Sequence, residues 1–192
     1  EIGEQHAPGG EEVLAKLVDI AHTEDPTRPV TTGNDHIYAD DGATTVEFME
    51  LLDVVGYNYV DRWHERRELY AAQDRHEHPD WKFIGTESSV VRGTRGEYML
   101  PDDSMKVRPF YTATMIRPAQ LWKFVAMNDW FVGDFMWTGV DYLGEARWPR
   151  KNSTSGVLDL VGFPDDGSFF YQSLWTDEPM IHLFPHWNWE GH

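Results

Sequence analysis

Three apolar runs limit what this chain can fold into: DVVGYNY at 53–59, WKFIGTE at 81–87 and DWFVGDFMW at 129–137. Each is rich in β-branched, aromatic or large apolar residues and reads as a buried strand. A fourth, shorter strand is expected at 29–32 (PVTT), ending at Gly33-Asn34-Asp35. Helical patterns separate the runs. Residues 11–22 (EEVLAKLVDIAH) place Val13, Leu14, Leu17, Val18 and Ala21 at helical spacing after the breaker Pro8-Gly9-Gly10. Further helices are expected over 44–52, 62–75, 109–128 and 165–175, with Pro118 kinking or adjusting the one over 109–128. Polar loops are expected over about 88–106 and 138–162.

Alternation of this kind predicts right-handed βαβ units, an α/β fold with a parallel sheet and helices outside. A complete eightfold barrel needs about 250 residues, whereas this chain has 192 and four candidate strands. A small open sheet and half of a barrel both fit that count. The half barrel is favoured, because polar residues follow every strand: Asn34 and Asp35, Asn58 and Tyr59, Glu87 and Ser88, Trp137 and Asp141. An open sheet would gather its site at one switch point.

Composition narrows the function classes. A net charge of −17 and a pI near 4.7 repel phosphate, which argues against nucleic-acid and anionic-membrane partners. Without cysteine there is no disulfide, thiolate metal site or cysteine nucleophile. No run approaches the roughly 18 apolar residues of a membrane span, and Glu1-Ile2-Gly3-Glu4-Gln5 does not open a signal peptide. The compartment stays open. Nine tryptophans, six of them between Trp130 and Trp189, are available to fill a core or stack on sugar faces.

Glu87 closes the third expected strand in chain order, where WKFIGTE gives way to Ser88-Ser89. It therefore lies at the carboxyl mouth of a strand, the edge where parallel α/β folds perform chemistry. A glutamate there can equally cap a turn or form an ion pair. Glycoside hydrolysis would require a second carboxylate opposite it.

Beyond Glu87 the chain carries Glu1-Ile2, DVVGYNY, FIGTESS, GDFMWTGVDYLGE (133–145), SGVLDLVGFPDDGSFFYQSLW (155–175) and HLFPHWNW (182–189). In this order they resemble the catalytic barrel of glycoside hydrolase family 2, the β-galactosidase, β-glucuronidase and β-mannosidase family. The resemblance implies the second half of a (β/α)8 TIM barrel, about four βα units, over residues 1–180. Residues 181–192 would then be an exit segment packing toward a following domain. It implies a retaining, exo-acting β-glycosidase, with β-galactosidase-like members favoured by WTGVDYLGE. Strong acidity disfavours an anionic glucuronide.

By the same resemblance Glu87 matches the nucleophile. Glu1 matches the acid/base glutamate of the family's Asn-Glu pair, with Glu4 as the substitute if the register is displaced. Tyr59 matches the tyrosine beside the nucleophile, although Tyr57 or Tyr59 could serve as a plain core aromatic. Trp137 resembles the tryptophan platform of the sugar site, or fills a core. Asp141 and Glu145 could accept hydrogen bonds from sugar hydroxyls or pair with Arg147 and Arg150. Asn58 is the remaining substrate-site candidate, and strand alternation turns it away from its neighbours unless the strand end twists.

No cofactor or metal is expected. His76 and His78, two residues apart, face apart on a helix, and His64 does not join them. A G-x-S-x-G elbow is missing, which argues against an α/β-hydrolase. The partners expected are a carbohydrate and other domains of the same polypeptide. A half barrel exposes two sheet edges, so the chain by itself should be inactive and either a homo-oligomer or poorly folded. The alternative function is a non-catalytic carbohydrate-binding fragment.

Overall fold

The computed structural model describes residues 8–35, 37, 44–59, 69–89, 99–100, 108–109, 116–146, 148 and 151–183. Among these the elements run α1 (Gly10–Glu24), β1 (Gly33–Asn34), α2 (Val46–Met49), β2 (Val55–Asn58), α3 (Leu69–Glu77) and β3 (Phe83–Ser89). They continue with β4 (Met99–Leu100), β5 (Arg108–Pro109), α4 (Ile116–Met127), β6 (Phe131–Trp137) and α5 (Asp166–Trp175). One sheet holds four parallel strands in the order β1-β2-β3-β6. The three long apolar runs therefore occupy β2, β3 and β6 as the sequence predicts.

Two compact units form, one from residues 1–88 with 121–135, the other from 89–120 with 136–192. The first contains the main core. Val55, Gly56, Tyr57 and Asn58 of β2 are all buried, as expected for a strand covered on both faces. Tyr57, Phe83 and Phe131 pack there with Ile37, Met49, Val55 and Ala71, and Val46, Trp81, Phe124, Val125 and Trp130 close the margin. Tyr57 stacks against Phe83 and Phe131 at ring separations of 6.0 and 6.5 Å. Its hydroxyl donates to Asp74 of α3 at 2.6 Å, and Asp74 is completely buried. This settles Tyr57 as a core aromatic that also satisfies a buried carboxylate.

α1 forms where its apolar spacing predicts, but only Leu14 of the predicted face is fully buried; Val13 and Leu17 are about half exposed, at 50% and 46%. Its last turn is tied back by Asp53, whose carboxylate accepts from the Val30 N–H and lies 2.7 Å from His22 Nε2. The Val30 N–H, followed by the His22 hydrogen bond, holds the Asp53 carboxyl below the ordinary aspartate range.

Two expectations are corrected. Of the helix predicted over 109–128, Ile116–Met127 is helical, but Pro109 belongs with Arg108 to a strand that pairs antiparallel with Met99–Leu100, and Met99–Leu100 lies in the stretch expected to be a plain loop. Pro118 lies within α4. The strand predicted at 29–32 appears instead just beyond that stretch, as the two residues Gly33–Asn34.

In the second unit, Val157 and Tyr171 are buried with Met136, Leu158 and Phe170 against them. The loop predicted over 138–162 is tied across itself by backbone bonds. Thr138 donates to Ser155, Val157 to Thr138, Leu158 to Gly139, Asp141 to Leu158, and Ser153 to Tyr142. Gly156 permits this closure, since a Cβ there would fall 2.2 Å from the Asp141 nitrogen. α5 follows, and its buried Asp166 faces His182 Nε2 at 2.5 Å, with the imidazole stacked on Phe169. Most of HLFPHWNW lies outside the described residues. No described helix is long and apolar enough to cross a membrane.

Removing the phenol oxygen in Tyr57→Phe should cost about 1–3 kcal/mol by stripping a donor from Asp74, and Phe83→Ala should cost about 3–5 kcal/mol. Urea unfolding measures both. Unchanged stability in Tyr57→Phe would mean that Asp74 is satisfied without the phenol.

Candidate active site

β2 and β3 pair in register from Val55 with Phe83 to Tyr57 with Gly85, after which Asn58 pairs with Glu87. One extra residue, Thr86, is therefore accommodated in β3, a bulge at the carboxyl end of the strand. Bulges interrupt alternation and re-aim side chains. Glu87 follows immediately, still paired within β3, and is half-buried.

Tyr59 is joined to Glu87 through the backbone, its N–H donating to the Glu87 carbonyl at 2.5 Å. Tyr59 is buried and has φ 53°, a left-handed conformation uncommon for a bulky residue. Backbone held in this region is over-determined by its surroundings, and such residues cluster at functional sites. Asn58 is buried; its side-chain oxygen accepts from the Thr86 hydroxyl at 2.8 Å and its amide lies over Gly33. Asn58 is thus engaged between strands rather than turned freely outward.

On the other side of β3, the Ser88 hydroxyl donates to Asp134 Oδ1 of β6 at 2.6 Å. Asp134 also crosses over Gly85, where a Cβ would lie 2.1 Å from its carboxylate oxygen. Neither Asp134 nor this crossing was singled out from sequence. Gly85, a glycine interrupting a strand pattern, was the available signal for a close approach.

In the second unit, Trp137 ends β6 with 38% exposure. Its indole N–H donates to the Tyr142 hydroxyl at 3.1 Å, and that hydroxyl donates to Glu145 Oε2 at 2.7 Å. The Trp137 and Tyr142 rings meet edge to face at 5.8 Å. Tyr142, unmarked in the sequence reading, thus links two candidates. Asp141 accepts from the Gly156 N–H at 2.8 Å, and burial pushes its carboxyl up from the ordinary aspartate range; the Gly156 bond opposes this and the charge of Asp159 adds to it. Arg147 and Arg150, the ion-pair partners considered for Asp141 and Glu145, lie outside the described residues, as do Glu1 and Glu4. Among the described residues no three His, Asp or Glu side chains converge as a metal site.

The chain is 36% identical to the β-galactosidase BoGH2A of Bacteroides ovatus over 91% of its own length and 22% of that protein's. It is 27% identical to a putative β-glucuronidase of Formosa agariphila over 92% of its length and 19% of the relative's. A solved glycosyl hydrolase family 2 member from Bacteroides cellulosilyticus matches all of the chain with 26% identity and a TM-score of 0.61, over 23% of that structure. The chain belongs to glycoside hydrolase family 2, as a partial region of it. It spans about one fifth of the length of these curated relatives. No protein-family model matches it.

Asp141 yields a pH prediction. A carboxyl raised by burial is disfavoured when charged, so its contribution to stability falls as pH rises through and above the aspartate range. Asp141→Asn keeps an oxygen for the Gly156 N–H without the charge. Its melting temperature should exceed the parent's near neutral pH, and the advantage should vanish below about pH 4. Thermal scans across pH check this; a deficit at neutral pH would contradict it.

Proposed function

We propose that this chain supplies the second half of a family 2 (β/α)8 barrel, and with it the nucleophile of a retaining, exo-acting β-glycosidase of β-galactosidase-like specificity. The observation that carries the reading is Glu87. It stands half-buried just past a bulge at the carboxyl end of a central parallel strand, with strained Tyr59 bonded to its carbonyl. The substrate class is supported by the name of the Bacteroides ovatus relative, a β-galactosidase.

In this reading Glu87 attacks the anomeric carbon as Glu1 protonates the departing oxygen. Glu1 then takes a proton from water, whose oxygen displaces Glu87 from the sugar. The net configuration is retained, which calls for carboxyl groups about 5–5.5 Å apart. Tyr59 donates a hydrogen bond to the nucleophile carboxylate. Asn58 supports the strand end from within. Trp137 offers its half-exposed indole as a stacking platform, held by Tyr142; Glu145 and Asp141 serve sugar hydroxyls from the loop after β6. The remaining strands and further domains complete the site, so the chain by itself is inactive.

In a polypeptide carrying this chain together with the remaining barrel strands, Glu87→Gln should lower kcat on a nitrophenyl β-galactoside by at least about a thousandfold. A panel of nitrophenyl glycosides tests the sugar preference alongside it. A variant within about tenfold of the parent would sink the nucleophile assignment.

A further inference from the structure

β3 should alternate, placing Gly85 and Ser88 on opposite faces. Both nevertheless meet one side chain, Asp134, the first by van der Waals approach and the second by a 2.6 Å hydrogen bond. The extra residue at Thr86 reconciles the two, because it shifts the alternation of everything beyond it. Ser88 is completely buried, and Asp134 is a carboxylate set in the middle of a strand. A buried hydroxyl and a partly buried carboxylate cost desolvation that an apolar pair would avoid. Their hydrogen bond closes the bulge directly after Glu87, while Asn58 engages Thr86 directly before it. Glu87 is therefore gripped from both neighbouring strands.

We infer that Ser88 and Asp134 are positioning residues, whose hydrogen bond across β3 and β6 locks the bulge and so fixes the direction of the Glu87 carboxylate. The inference rests on Glu87 being the nucleophile. Asp134 acts through Ser88 and the bulge, and its charge is secondary to its geometry as an acceptor. Gly85 belongs to the same device, because any side chain there would displace the carboxylate.

The test uses the polypeptide carrying this chain with the remaining barrel strands, and the variants Ser88→Ala, Asp134→Ala, Asp134→Asn and the double alanine variant. Ser88→Ala and Asp134→Ala should each lower kcat on the order of 10- to 100-fold with KM moved less than about threefold, the result of a displaced reacting group. Asp134→Asn retains an oxygen acceptor and should recover most of kcat. The double variant should be no slower than the worse single one, because the two residues act as one unit. Losses in melting temperature with kcat held, additive losses, or failure of Asp134→Asn to recover would each overturn the inference.

Covalent labelling separates this from the parent reading. A dinitrophenyl deoxyfluoro-β-galactoside places its sugar on the attacking carboxylate and releases dinitrophenolate without an acid catalyst. Peptide mapping should find the label on Glu87, arriving more slowly in Ser88→Ala than in the parent. Label on another carboxylate overturns both readings; label on Glu87 at equal rates in parent and variants overturns the positioning role alone.

Discussion

Burial of β2 on both faces is the constraint from which the first unit follows. A strand with no solvent face must present apolar or fully bonded groups in succession, and Val55, Gly56, Tyr57 and Asn58 meet that demand in different ways. Tyr57 stacks with Phe83 and Phe131, yet its hydroxyl still has to be satisfied and finds Asp74. Ring stacking and area burial hold the sheet's base, while the Tyr57–Asp74 hydrogen bond ties α3 to it. Asn58, one residue later, begins the transition from apolar core to polar strand end.

That transition is where the bulge lies. Up to Gly85 the β2–β3 ladder is regular, and beyond it each residue is engaged by a polar partner: Thr86 by Asn58, Glu87 by the Tyr59 N–H through its carbonyl, Ser88 by Asp134. Polar groups at this depth need partners, and their mutual bonds give the strand end a defined geometry. The rigid base and the bonded rim are thus two consequences of one pairing of strands. A carboxylate carried on such a rim is held by backbone rather than by a mobile loop, which suits a group that must meet one atom of a substrate.

The second unit reaches definition by another route. Its loop after β6 contributes Val157 and Leu158 to the small apolar cluster, and backbone hydrogen bonds together with Gly156 fold it against itself. Asp141 accepts from one of its N–H groups through Oδ1, whereas Trp137, Tyr142 and Glu145 form a chain of side-chain bonds at the surface.

The sequence by itself determined the α/β class, the three long strands, α1, α5 and the placing of Glu87 at a strand end. These follow from local periodicity and from residues whose shape suits a buried pleat. It also carried the resemblance to glycoside hydrolase family 2, which the comparisons bear out over a partial region. Only the tertiary structure decided what depends on a neighbouring strand. The bulge at Thr86, the Asp134 crossing over Gly85 and the Tyr142 link between Trp137 and Glu145 are contacts between residues far apart or off-register in the chain. The short β4–β5 pairing likewise replaced part of a predicted loop. Periodicity reports which way a residue faces in an ideal element; where an extra residue breaks the element, only the partner strand fixes the answer.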